Sequence, residues 1–195
     1  PELKTTIEWD IPILEGYQYK FFKNLASENR RGTLSRINFG MFLDIIKNRY
    51  DAVLIHGYDT VSSWIVFLAA KLVGAKIIWR GEAAIRPVLR QNPIKKFIKN
   101  KVLPFYFSKC DAIMYSCTGN KEYIQQFSEE DKKMFLIPCA VDNTFFRERR
   151  ITDANELSLK REELGISEDD FVILFSARFT TRKRPLDLIK AVSQI

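Results

Sequence analysis

The stretch DAVLIHGYDTVSSWIVFLAAKLVGAKIIWR, from Asp51 to Arg80, holds two short apolar runs with a helical pattern between them. The runs DAVLIH (Asp51–His56) and AKIIWR (Ala75–Arg80) are rich in β-branched and aliphatic residues, which is typical of buried strands. The segment between them, VSSWIVFLAAKLVG (Val61–Gly74), is apolar on nearly all sides and ends on glycine, a common helix stop. This order predicts a right-handed strand–helix–strand crossover and a parallel pair of strands.

The same alternation continues along the chain. DAIMYS (Asp111–Ser116) and MFLIPC (Met134–Cys139) have the composition of strands. A basic helical stretch runs from about Asn92 to Ser108, before DAIMYS, and is interrupted or ended near Pro104. A second helical stretch, GNKEYIQQF (Gly119–Phe127), lies before MFLIPC. We therefore predict an α/β domain with a Rossmann-like parallel sheet and helices on both faces.

After Cys139 the pattern becomes polar and loses its period, which predicts a linker. A helix of about Glu156 to Leu164 follows, then the apolar run FVILFSA (Phe171–Ala177) and a final helix from Pro185. These elements predict the first strand–helix unit of a second Rossmann-like domain. The predicted parts are a first domain, residues 1–139, a linker, 140–155, and the start of a second domain, 156–195. We expect the chain to be a fragment, because it enters in mid-pattern and ends one helix into the second domain.

Composition narrows the function classes. Apolar residues make up 46% and charged residues 28%, as in ordinary globular proteins. The net charge of +7 suits an anionic partner, which could be a phosphorylated substrate, a membrane surface or nucleic acid. Three cysteines without a CxxC pair indicate a reducing compartment, and a single histidine argues against a histidine-based metal site.

The turn after FVILFSA carries several cations. Arg178 ends the apolar run, and Lys183 stands just before the helix that begins at Pro185. Ligands of open α/β sheets bind at the carboxyl ends of strands, and a helix N-terminus there attracts anions. The pair is either a phosphate-binding turn or a solvated basic turn.

Two segments around this turn carry a family resemblance. LIPCAVDNTFF (Leu136–Phe146) and KREELGISEDDFVILFSARFTTRKRPLDLIKA (Lys160–Ala191) resemble the interdomain segment of glycosyltransferase family 4, whose members have the two-domain GT-B fold. The upstream pieces WDIPILEGY, VLIHGY, WRGEA and TGNKEYI look like the N-terminal acceptor domain of that family. Ala177 stands where the family usually has glycine, and Cys139-Ala140 where asparagine-glycine is common.

The resemblance implies a retaining transfer of sugar from a nucleotide-diphosphate-sugar donor to a glycan or lipid-linked acceptor, in polysaccharide or glycoconjugate biosynthesis. It implies that Arg178 and Lys183 bind the donor diphosphate, with no metal and no cofactor besides the co-substrate. The family's paired glutamates belong further along the second domain, so we expect this chain alone to be inactive. The alternatives are another GT-B enzyme, such as a nucleotide-sugar epimerase, and a non-enzymatic module that binds anions or membranes.

On the acceptor side, the resemblance implies roles for residues at strand ends. Arg80 takes roughly the place of a family histidine, and it cannot be a general base because it stays protonated. It is expected to bind a phosphate or carboxylate, while Glu82 accepts sugar hydroxyls and His56 lies in the acceptor cleft. Gly16 and Tyr17 resemble an acceptor-side loop. The alternatives are a structural Arg80–Glu82 pair and a structural His56.

The basic helical stretch also has two interpretations. Between Glu82 and Asp111 the chain has seven lysines and arginines and no acid. The helix either packs its apolar side on the sheet with solvated lysines, or also lies on anionic lipid through Lys95, Lys96 and Lys99. The apolar residues at helical spacing are Ile94, Phe97, Ile98, Val102 and Phe105. Nucleic-acid binding is disfavoured, because the spacing of the aromatic residues is typical of a hydrophobic core. We expect a cytoplasmic protein that is peripheral to the inner face of the membrane.

Overall fold

The structure is a computed structural model that describes residues 13–27, 30, 32–84, 93–150, 153–177, 179–180 and 183–194. The chain forms two compact units. The sheet unit is Gln18–Ala140, and the second unit combines Pro1–Tyr17 with Val141–Ile195.

The sheet unit contains four strands. They are β1 (Ala52–His56), β2 (Lys76–Gly81), β3 (Ala112–Tyr115) and β4 (Met134–Leu136). All three pairings are parallel, and the strands lie side by side in chain order. The predicted α/β fold with a Rossmann-like parallel sheet is confirmed.

Helices precede and connect these strands. They are α1 (Phe39–Asn48), α2 (Val61–Val73), α3 (Pro93–Ser108) and α4 (Thr118–Gln125), with short 3-10 turns at Gly32–Ser35 and Asp131–Lys133. The hydroxyl of Thr60 caps α2 by accepting a hydrogen bond from the Ser63 N–H, and Gly74 ends it in the left-handed conformation that favours glycine. The interruption predicted near Pro104 is wrong, because α3 continues to Ser108. The turn beyond the proline is held by Tyr106 and Phe107, which are fully buried.

The hydrophobic core of this unit lies on one face of the sheet. Ile55, Trp79, Ile113 and Met134 stand in one row across the four strands, and all are buried. The core also takes residues from each of the helices: Ile45, Val66, Phe67, Ala69, Ala70, Leu103, Tyr106, Phe107, Tyr123 and Ile124. Right-handed crossovers repeated in one direction keep their helices on one side of a sheet, which explains why α2, α3 and α4 share one core.

The opposite face of the sheet is more accessible than the face that carries the core. Its apolar side chains in the described residues include Leu54 and Phe135, which are 53% and 50% exposed. The row next to the carboxyl edge on this face consists of His56, Arg80, Met114 and Phe135. Polar and apolar groups are therefore accessible together at this end of the sheet.

The second unit contains α5 (Asn143–Glu148), α6 (Ala154–Glu163) and α7 (Pro185–Val192). The stretch predicted as an irregular linker thus includes a helix. The Asp142 carboxylate caps α5 by accepting hydrogen bonds from the N–H groups of Thr144 and Phe145, and Asp153 caps α6 in the same way. Helix α7 begins at Pro185 as predicted, where the missing N–H has no intrahelical partner to lose.

The predicted strand FVILFSA is wrong. Phe171–Ala177 has no regular secondary structure, and Phe171 and Leu174 are 91% and 84% exposed. A strand exists only through hydrogen bonds to a neighbouring strand. The described residues of the second unit include no other strand that could provide them.

Candidate functional site

The carboxyl ends of β1 and β2 bring two of the predicted site residues together. His56 ends β1, and its register partner on β2 is Arg80. The backbone N–H of Gly57 donates to the Arg80 carbonyl at 2.8 Å, which continues the pairing past the strand end. Adjacent strands are about 4.8 Å apart, so these side chains start as close neighbours on the same face. We call His56, Arg80, Glu82 and Cys139 the carboxyl-edge cluster.

The side chain of Arg80 reaches across the sheet end. Its Nη2 lies 3.8 Å from the Sγ of Cys139, which follows β4. Its Nε is buried and has no hydrogen-bond partner among the described residues. A guanidinium carries five N–H donors and a permanent charge, so Arg80 retains the capacity to bind an anion.

Glu82 follows β2 directly and is exposed. No ion pair between Arg80 and Glu82 is present in the described part of the chain. The structural Arg80–Glu82 pair, the alternative explanation of this motif, is therefore not formed. The Glu82 carboxylate stays accessible to a ligand at the edge, and Arg80 is half-buried.

The loop that carries Glu82 is held by Asn120, a residue that the sequence reasoning missed. Asn120 on α4 is fully buried. Its Nδ2 donates to the Ala83 carbonyl at 2.6 Å, and its Oδ1 accepts from the Ser116 N–H at 3.0 Å. The ends of β2 and β3 are thereby tied together. The signal in the sequence was an amide in the first turn of a helix that follows a strand end, inside TGNKEYI.

Beneath the cluster lies a layer of aromatic rings. Trp79 is 1% exposed, and its ring stacks near Tyr58 and meets Phe107 edge to face. Gly81 packs directly on this indole, since a Cβ at Gly81 would lie 2.4 Å from Trp79 Cη2. Glycine at this position is therefore a packing requirement.

Two tyrosines join the loop after β1 to α4. The hydroxyls of Tyr58 and Tyr123 are hydrogen-bonded to each other. Burial raises the pKa of both phenols, so they remain protonated at neutral pH. The pair anchors the turn that follows His56, in which Gly57 takes a positive φ of 78°.

A groove of about 300 Å³ runs beside β1 at His56. Its hydroxyl groups serve the protein itself: Ser62 Oγ donates to Asn38 Oδ1 at 2.9 Å, and Thr60 and Ser63 pair at 3.0 Å. The lining also includes the side chains of Arg36 and His56, whose polar groups have no side-chain hydrogen bond within the described residues. His56 is exposed, which distinguishes it from a buried structural histidine.

The predicted diphosphate turn is described only in part. Arg178 lies outside the described residues. Lys183 is exposed and precedes α7, and its backbone N–H donates to the Thr180 carbonyl at 3.0 Å. A depression of about 460 Å³ borders this helix N-terminus and is lined by Phe179, Thr180, Arg184, Pro185, Leu186 and Asp187. Arg184 is paired with Asp187, so its charge is already offset.

Gly16 and Tyr17 belong to the second unit. Gly16 has a φ of 83°, and the Tyr17 hydroxyl donates to the Ile13 carbonyl at 2.6 Å. These contacts form a tight local turn. The acceptor-side role of this turn stays a prediction.

The three lysines predicted to face a membrane differ in their surroundings. Lys96 is exposed, and the side chain of Lys95 lies outside the described part of the structure. Lys99 Nζ lies 4.5 Å from the centroid of the Tyr123 ring and 5.4 Å from that of Phe127. Burial lowers the pKa of Lys99, and its cation is stabilised by these ring faces.

Across the described residues, no group of three or more histidine, cysteine, aspartate or glutamate side chains is arranged to hold a metal ion. Within the same residues, none of the helices has the length and apolar character needed to cross a bilayer. Comparison with known proteins gives no family model that matches the chain, and no curated protein matches it.

Proposed function

We propose that this chain belongs to a retaining glycosyltransferase that uses a nucleotide-diphosphate-sugar donor and a glycan or lipid-linked acceptor, in polysaccharide or glycoconjugate biosynthesis. The observation that carries the proposal is the pairing of His56 with Arg80 at the carboxyl edge of a parallel sheet. Ligands of open α/β sheets bind at that edge. The resemblance of the hinge and of the Arg178–Lys183 spacing to glycosyltransferase family 4 supports it.

The residues of the carboxyl-edge cluster suit an acceptor with both hydroxyl groups and an anionic group. Arg80 offers a permanent cation, and Glu82 offers an exposed carboxylate that can accept hydrogen bonds from sugar hydroxyls. His56 stands beside Arg80 and can donate or accept a hydrogen bond. In this proposal Arg80 binds and orients the acceptor, because a guanidinium stays protonated at neutral pH and cannot act as a base.

On the donor side, the proposal assigns Arg178 and Lys183 to the diphosphate. Two cations near a helix N-terminus offset the negative charge that develops as the nucleoside diphosphate leaves. This is an electrostatic role that needs no metal. The exposed position of Lys183 at the start of α7 is compatible with it.

The donor role is tested by calorimetric titration with ADP, GDP and UDP. We expect Lys183→Ala to weaken binding of the preferred diphosphate by about 1.5–3 kcal/mol, the range for a hydrogen bond to a charged group. Lys190→Ala, in the last turn of the same helix, is the matched control and should bind as the wild type does. Equal affinities for the wild type and Lys183→Ala would remove Lys183 from the donor site.

The acceptor role is tested by sugar transfer with the complete glycosyltransferase to which we propose this chain belongs, from the donor identified in that titration. Arg80→Ala is expected to raise the KM for an anionic acceptor, while Arg30→Ala in the same unit leaves it unchanged. Formation of the epimerised nucleotide sugar without any acceptor would instead favour the nucleotide-sugar epimerase. Binding of anions without turnover by the complete protein would favour the non-enzymatic module.

The proposal places the protein in the cytoplasm, at the inner face of a membrane. The free state of Cys110, Cys117 and Cys139 supports a reducing compartment. The basic helix α3 supports a peripheral position.

A further inference from the structure

We propose that one side of α3, the α3 outer face, lies on an anionic lipid surface with the helix axis in the plane of the membrane. The α3 outer face consists of Phe97, Ile98, Lys101 and Phe105, extended by Lys109 just after the helix. The α3 outer face is separate from the carboxyl-edge cluster, and its role deepens the proposed peripheral position at a membrane without depending on the sugar transfer.

The first support is which apolar residues of α3 are buried. Leu103, Tyr106 and Phe107 pack into the core and are at most 2% exposed. Phe97 and Phe105 are 65% and 56% exposed. Helix α3 therefore has two apolar sides, and the core uses only one of them.

The second support is that the exposed residues share one stripe. Successive residues of a helix are rotated by about 100°, so Phe97, Lys101 and Phe105, spaced four apart, fall within about 80° of one another. Ile98, 54% exposed, extends the stripe to about 100°. This is the width of an apolar face that lies in the boundary between headgroups and acyl chains.

Charge selects lipid as the occupant of this face. From Pro93 to Cys110 the chain contains five lysines and no acid: Lys95, Lys96, Lys99, Lys101 and Lys109. Lys101 and Lys109 are exposed on the stripe itself, and Lys109 Nζ lies 5.7 Å from the Phe105 ring centroid. Lysine side chains let their amino groups reach phosphate headgroups while neighbouring aromatic rings insert.

The lysine at the centre of the α3 outer face is not one of the three predicted to face a membrane. Lys99 lies on the core side of α3, over the rings of Tyr123 and Phe127. Lys96 is exposed, but it is rotated about the helix axis by about 100° from the nearest stripe residue, Phe97. Lys101 is therefore the cation at the centre of the α3 outer face.

The test is flotation of the purified chain with vesicles of phosphatidylcholine alone and of equal parts phosphatidylcholine and phosphatidylglycerol. We expect binding to the anionic vesicles only. Phe97→Ser with Phe105→Ser should reduce the partition coefficient more than tenfold. Lys101→Gln should reduce it about fivefold, the worth of one basic residue near an anionic surface.

Lys132→Gln, an exposed lysine of the same unit outside α3, is the charge control and should lower binding less than Lys101→Gln. Circular dichroism of each variant shows that the fold is kept. Equal binding to neutral vesicles, absence of binding, or wild-type binding by the Phe97/Phe105 double variant would each overturn the proposal. So would self-association at micromolar concentration that the double variant abolishes, because the face would then bind a second copy.

Discussion

A methyl group at Gly81 is predicted to damage both the core and the carboxyl-edge cluster. In Gly81→Ala the new Cβ would lie 2.4 Å from Cη2 and 2.5 Å from Cζ2 of Trp79. Carbon atoms in contact are ordinarily about 3.5–4.0 Å apart, so the indole has to move by more than about 1 Å. The backbone of Gly81 does not lie in the positive-φ region, and the expected cost is therefore one of packing rather than of backbone strain.

The surroundings of Trp79 determine the magnitude. Its ring is 1% exposed and has its neighbours Tyr58 and Phe107 at ring-centroid distances of 6.1 and 4.9 Å. A rigid bicyclic ring enclosed in this way cannot rotate out of the contact without displacing those rings. Overpacking of a core costs about 1–3 kcal/mol, and we expect Gly81→Ala to lower the free energy of unfolding by an amount near the upper end.

Urea unfolding followed by circular dichroism measures this loss. Gly119→Ala is the matched control, because its Cβ would meet only Ala84 Cβ at 3.9 Å, an ordinary contact. A double-mutant cycle with Trp79→Phe should show a favourable coupling between the smaller ring and the added methyl group. If Gly81→Ala and Gly119→Ala are equally stable, or the cycle shows no coupling, the packing argument is refuted.

The remaining predictions concern buried or paired polar groups. Asn120→Asp should cost about 1–3 kcal/mol because the Ala83 carbonyl loses its donor. Because a buried carboxyl group has a raised pKa, that cost should grow as the pH rises above about 4, and an unchanged loss between pH 4 and 8 would contradict this. The hydrogen bond from the Ile77 N–H holds the pKa of Asp111 below its usual value. The Asp111 carboxylate therefore contributes under about 1 kcal/mol to stability above about pH 4, and this contribution is lost as the pH falls through the folded pKa. Asp111→Asn should lack this acid dependence in urea unfolding. Burial raises the pKa of the Cys110 thiol to about 12. A thiol reagent at pH 8 should therefore label the two exposed cysteines quickly and Cys110 only on unfolding. Fast labelling of all three cysteines would contradict this.

The sheet was predictable because its strands are marked locally. DAVLIH and AKIIWR contain the residues of β1 and β2, apart from one at the end of β2, since β-branched runs bounded by turn residues identify buried parallel strands. FVILFSA has the same composition and forms no strand. Strand formation depends on a partner, and composition carries no information about whether one is present.

The packing side of α3 shows a second limit of local patterns. Its spacing offered one apolar side with Phe97 and Phe105, and the structure packs the other side, with Tyr106 and Phe107. The choice is made by distant residues. Tyr106 meets Trp64 on α2 at a ring-centroid distance of 4.8 Å, and Phe107 meets Trp79 on β2 at 4.9 Å. When a helix is apolar on two sides, the side that is exposed can therefore be identified only once the neighbouring elements are known.

The candidate site was predictable to the same extent as its strands. Once β1 and β2 are parallel and in register, the residues at their ends meet at one edge, which is how His56 and Arg80 came together. The contact of Arg80 with Cys139 and the support from Asn120 join residues that are 59 and 37 positions apart, Asn120 acting through Ala83. Such contacts depend on the order of strands in the sheet and on the path of each loop. The sequence thus identifies side chains that a parallel sheet brings to its edge, while the groups that fix their geometry emerge only from the folded chain.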